Sequence, residues 1–112
     1  LPPVYARDEA FAKTVVDHGM AIDDPLWPMP LWNGYDKLLT SKIADVNHIS
    51  TGGLAGSITA ALFLNRFVKP QTEWMHFDIF AWSPEPRPGR PFGGTDHGIR
   101  ALYSALKDRY GQ

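Results

Sequence analysis

Apolar side chains recur at helical spacing close to the start of the chain. Phe11, Val15, His18 and Ile22 share one face of a helix predicted over 8–22, with Asp8 placed to cap it and Gly19 weakening its last turn. The run DDPLWPMPLW at 23–32 breaks that period with three prolines. Proline removes backbone donors, so this stretch reads as an extended arm, pinned by Leu26, Trp27, Met29, Leu31 and Trp32. Asn33 is placed to cap a short helix through 40, with Tyr35, Leu38 and Leu39 inward. ADVNHI at 44–49 alternates weakly, as a short strand does.

The next segment, ITAALFLNRFV at 58–68, is apolar on nearly every side until Asn65, the signature of a helix buried on most faces. Pro70 closes it. A strand is predicted over 73–82, where WMHFDIFAW is apolar on both faces. SPEPRPGRPFGG at 83–94, with four prolines and three glycines, is a loop. A last helix follows, capped by Thr95 or Asp96, with Ile99, Leu102, Tyr103, Leu106 and Tyr110 on one face and Gly111 as its stop.

These elements describe a helix-rich α/β unit with two or so strands. A strand apolar on both faces belongs inside a covered sheet, and the predicted elements are too few to build one. The fold therefore reads as incomplete, and the start at Leu1-Pro2-Pro3 adds to the expectation of a piece of a longer protein. At 112 residues the chain has room for one domain.

Composition narrows function mostly by exclusion. The apolar share of 44% and charged share of 21% are those of an ordinary globular protein. A net charge of −1 with scattered Lys and Arg makes no basic patch, so Trp27, Trp32, Trp74 and Trp82 are core or interface aromatics and not base-stacking platforms; no nucleic-acid partner is expected. The chain lacks Cys, which rules out disulfides and thiolate chemistry within it. Its longest apolar run, 60–64, is far too short to span a bilayer, and no membrane partner is expected.

Candidate chemistry is sparse. His76 and Asp78 are two apart in a strand and share a face, so they could point at one metal ion. A catalytic zinc needs at least three protein ligands, and only Asp45 and His48 offer more from a predicted strand. The simpler reading is a His and an Asp satisfied inside a partly buried strand. TGGLAGS at 51–57 precedes a helix as an anion-binding turn does, but it matches neither a P-loop nor a dinucleotide fingerprint; its glycines suit close packing. Ser50 and Ser57 with His48 hint at a nucleophile and base, without the G-x-S-x-G elbow or a third member.

Taken in order, PLWPMPLWNGYDKLL, SKIADVNHI, GSITAALFLNRFV, WMHFDIFAW and the GRP of 89–91 resemble the C-terminal end of the leucine aminopeptidase (cytosol aminopeptidase) family. Its pattern runs as a W-x-M-P-L arm, A-D-x-x-N, T-A-A-x-F-L, W-x-H-x-D-I and G-R-P. The resemblance extends from about residue 25 to the end. It implies an α/β/α catalytic domain of which 1–112 is the last part, in a cytoplasmic two-metal peptidase that frees N-terminal amino acids from peptides.

The family's metal ligands and catalytic lysine and arginine lie in upstream motifs that do not occur here. The resemblance thus implies no cofactor and no catalytic residue in this chain, and two divalent ions, manganese or zinc, in the whole protein, where they activate water and polarise the scissile carbonyl. Its implied partners are the upstream part of the same polypeptide, a peptide substrate and further copies in a hexamer. The His and Asp of W-x-H-x-D-I are structural in the family, and the residues after that strand help wall the pocket for the substrate's N-terminal side chain. By position these are Phe80, Ala81, Trp82 and Ser83. The family usually has small Ala-Gly where this chain has Phe80-Ala81, a departure that bears on pocket size. A stand-alone interaction domain, keeping the fold without the catalysis, is the alternative.

Overall fold

The computed structural model describes residues 1–39 and 55–111. In chain order the elements are β1 (Pro3–Ala6), α1 (Glu9–Ala21), β2 (Trp27–Pro28), a 3₁₀ helix (Asn33–Leu39), α2 (Gly56–Asn65), β3 (Met75–Phe77), β4 (Trp82–Ser83), β5 (Gly93–Gly94) and α3 (Ile99–Tyr110). The predicted strand at 44–49 lies outside the described residues.

A small sheet with strand order β2-β1-β3 is the organising layer, parallel on one side of β1 and antiparallel on the other. Successive side chains of β1 point to opposite faces. Tyr5 enters one core with Leu39, Ile58, Ala61 and Leu62, against which Met29, Leu31 and Trp74 pack. On the other face, Met75 and Phe77 of β3 pack against Val15, Leu26, Ala101 and Ala105. The result is α/β/α, with α2 on one side and α1 and α3 on the other.

β1 answers the shortage of strands. It sits at the very start, hydrophobic over three residues only, and its pairing partners are about 24 and 70 positions away, so local pattern does not reveal it. Among the described residues there are five short strands in two sheets. The arm joins the sheet: Trp27 N–H donates to the Pro2 carbonyl (3.0 Å) and Met29 N–H to that of Val4 (2.9 Å). Pro28 and Pro30 alternate with those donors, so their missing N–H groups fall on the side away from β1.

The Asp8 cap is as expected, its carboxylate accepting from Ala10 and Phe11 N–H (3.0 and 3.2 Å). Gly19 departs from expectation. A Cβ there would lie 2.5 Å from the Asp24 carbonyl oxygen and 3.1 Å from Ala101 Cβ, so glycine is what lets α1 meet α3. The same close crossing corrects the predicted stripe on α3. Ala101 and Ala105 are the buried positions, whereas Ile99, Tyr103, Leu106 and Tyr110 are exposed. Small residues belong at the crossing, and periodicity alone does not say which apolar side faces it.

Nor do Thr95 or Asp96 cap α3, whose first turn has no acidic residue of its own. The cap is tertiary. Asp24, 3% exposed, accepts from Gly98 N–H (3.1 Å) and Ala101 N–H (2.9 Å) with its two carboxylate oxygens. α2 likewise ends earlier than predicted, at Asn65, and its other face leaves Leu64 and the following Phe67 exposed. No helix among the described residues is long and apolar enough to cross a membrane.

The strand predicted over 73–82 is broken. Only Met75–Phe77 joins the sheet; Ala81 takes a left-handed conformation (φ 56°), and Trp82–Ser83 pairs instead with Gly93–Gly94. The 83–94 loop is therefore the far side of a hairpin. At its tip Arg87 and Arg90 exchange two backbone hydrogen bonds of 2.8 Å around Pro88-Gly89, with Gly89 at φ 73°. Proline followed by a positive-φ glycine is the sequence of a type II turn.

A candidate pocket wall and its comparisons

β3 places the His-Asp pair among ring and main-chain contacts. The His76 ring stacks parallel on Trp74, with centroids 6.1 Å apart, and lies 6.2 Å from the ring of Tyr5. Tyr5 in turn donates its hydroxyl proton to Ser57 Oγ (2.8 Å), which places Ser57 in a packing contact. Asp78 closes the sheet through its own N–H to the Pro3 carbonyl (3.0 Å). Among the described residues no three His, Cys, Asp or Glu side chains gather where they could hold a metal ion; the implied divalent ions find no ligand set in them. Asp45, His48 and Ser50 lie outside those residues.

Burial pushes the His76 imidazole below its ordinary range, partly offset by the charge of Asp78. A histidine that is harder to protonate when folded makes the folded state bind fewer protons than the unfolded one, so stability rises with pH through the window. Unfolding midpoints in urea are expected to fall as pH drops below about 6.5, the ordinary imidazole value. The fall should be smaller in His76→Phe, which keeps the stack without the titrating group. Equal pH slopes in both proteins would refute the assignment.

Past Asp78 the chain leaves the sheet. Phe80 is 76% exposed, and Trp82, also exposed, meets Phe92 edge to face with centroids 5.4 Å apart. Ala81 is bound on both sides of its peptide: its N–H donates to His97 Nδ1 (3.1 Å), and its carbonyl accepts from Thr95 N–H (3.1 Å). Ser83 is buried, its hydroxyl donating to the Glu85 carbonyl (2.8 Å). Of the four residues expected to wall a pocket, Phe80 and Trp82 thus present rings, while Ala81 and Ser83 fix the backbone between and behind them.

Phe92 and His97 were not singled out in the sequence. Phe92 lies just before β5 and His97 in the turn before α3, and the β4–β5 pairing brings them here. Arg90 braces that turn, donating to Thr95 Oγ1 (2.7 Å) and to the Asp96 carboxylate. Burial alone would raise the Asp96 carboxyl, but the hydrogen bond and charge of Arg90, helped by Arg100, outweigh it and hold the group below the usual carboxylate range. Between the hairpin tip and the α1–β2 loop lies a cleft of about 600 Å³, into which Asp23, Asp24, Arg87, Arg90, His97 and Arg100 face.

Residues 1–103 match the model of the cytosol aminopeptidase family, catalytic domain. The chain belongs to the cytosol aminopeptidase family. A probable cytosol aminopeptidase from Roseiflexus castenholzii is 43% identical over 108 residues, covering 94% of this chain and 22% of the relative. A crystal structure of cytosol aminopeptidase from Coxiella burnetii superposes with a TM-score of 0.92 at 44% identity, over 97% of this chain and 24% of that one. The bottromycin maturation enzyme BotP, solved in complex with Mn, matches at 0.88 and 30% identity, over 96% and 24%. The chain therefore spans about a quarter of the length of its cytosol aminopeptidase relatives, in accord with a C-terminal portion of the catalytic domain.

Proposed function

We propose that the protein containing this chain is a metal-dependent aminopeptidase that releases N-terminal amino acids from peptides in the cytoplasm. The chain supplies scaffold and one wall of the pocket for the N-terminal side chain. The support is a single juxtaposition: within a family-matched segment, the exposed rings of Phe80 and Trp82 stand on a backbone fixed by hydrogen bonds, directly after the strand that carries His76 and Asp78. Metal binding and the chemistry at the scissile bond belong to residues elsewhere in the protein, so the chain alone is inert.

The test measures kcat/KM in the whole protein for alanine, leucine and phenylalanine anilides. Phe80→Ala opens volume and is expected to favour the larger side chains over alanine by about 10-fold or more, the scale on which an apolar pocket discriminates. Uniform scaling of all three substrates would remove Phe80 from the pocket. The 112-residue chain by itself should give no turnover with added manganese or zinc. Activity co-purifying with it would overturn the division of labour.

A further inference from the structure

We propose that His97 is a positioning residue for substrate selection, latching Ala81 in the left-handed turn that aims Phe80 and Trp82. The inference rests on the reading of 80–83 as pocket wall, and it concerns what holds that wall in place.

The need for a latch follows from the backbone. Ala81 sits at φ 56°, where an L side chain crowds its own peptide and glycine would not. Side-chain packing does not hold it there, since Phe80 on one side is largely exposed and the ring of Trp82 on the other leans on an exposed Phe92. Beside the β4–β5 pairing that begins at Trp82, the peptide groups of Ala81 itself are held by two hydrogen bonds, both from the short segment before α3. The Thr95 bond is between main-chain groups, whereas the His97 bond depends on a side chain.

Because Nδ1 accepts from the Ala81 N–H, it bears no proton, and a neutral His97 carries its proton on Nε2. A side chain with no acceptor at this place leaves the Ala81 N–H without that bond. His97 is well placed to act on Ala81 because its neighbours are fixed. Gly98 N–H is bound by Asp24, while Thr95 and Asp96 are bound by Arg90. The charges around the cleft are mostly committed as well. Asp24 serves the start of α3, and Arg90 and Arg100 share Asp96.

The experiment uses the whole protein and the ratio of kcat/KM for leucine and alanine anilides, which cancels effects on metal loading. His97→Leu should contract the preference about five-fold, equivalent to ~1 kcal/mol at 1.36 kcal/mol per decade, the size of one ordinary hydrogen bond. His97→Gln, which keeps an acceptor, should hold it near that of the unmodified protein. Adding Ala81→Gly to His97→Leu removes the strain and should bring the preference back to within about two-fold. If His97→Leu keeps the preference of the unmodified protein while Phe80→Ala shifts the ratio, the wall stands and the latch is wrong. If Phe80→Ala also leaves the ratio unchanged, the wall reading fails and the latch with it.

Discussion

Arg7→Met is expected to cost about 3 kcal/mol of stability and to loosen the C-terminal end of α2 before the rest of the fold. The guanidinium leaves β1 and wraps that helix end, Nε donating to Asn65 Oδ1 (2.7 Å) and NH2 to the carbonyls of Asn65 (3.0 Å) and Val68 (2.8 Å). NH1 reaches Lys69 and Thr72 carbonyls (2.6 and 2.8 Å), which are exposed and can return to water. Three part-buried acceptors are thus at stake, each bonded by a cation. Such bonds contribute ~1.5–3 kcal/mol apiece but not additively from one side chain, which sets the total. The negative end of the helix dipole loses its counter-charge as well. Arg7→Lys should recover only a minority, because an ammonium lacks the planar fork that reaches several carbonyls together. Chemical denaturation with amide exchange over 61–66 is the measurement. A loss under about 1 kcal/mol would mean that water replaces the guanidinium freely.

The second large effect is expected at Asp24. Asp24→Ala strips the acceptor from two buried N–H groups at the start of α3. An orphaned buried donor costs ~1–3 kcal/mol and a lost cap ~0.5–2 kcal/mol, so about 2–3 kcal/mol in all is expected. Asp24→Asn should lie between, since its amide can accept one of the two bonds but turns a donor toward the other. The damage should also travel. Gly98 follows His97, and freeing it unseats the residue that binds Ala81, so substrate preference should weaken even where the protein remains folded. Melting curves beside the leucine-to-alanine ratio test both halves; an unchanged ratio in a destabilised Asp24→Ala would limit Asp24 to capping.

What the sequence made legible, and what it did not, divides by distance along the chain. Asp8 and α1 could be read because cap and helix are adjacent, and the proline-rich arm because proline acts on its own backbone. Asp24 as the cap of α3 could not, being 74 residues from Gly98. The same holds for β1 and for Arg7. The apolar run at 73–82 read as one strand because nothing in its hydrophobicity marks the left-handed Ala81; the partners that hold it there, Thr95 and His97, belong to another part of the chain. Of the candidate wall, the positions came from family resemblance, whereas Phe92 and His97 emerged only from the folded arrangement.

The prolines of the arm have one more effect. With Pro28 and Pro30 turned outward, the β2 edge offers no main-chain donor at those two positions to an incoming strand, while alternation leaves the N–H groups of Met75 and Phe77 on the free side of β3. Growth of the sheet has a direction. Among the described residues, β3 is thus the edge of this sheet that offers main-chain donors to a further strand.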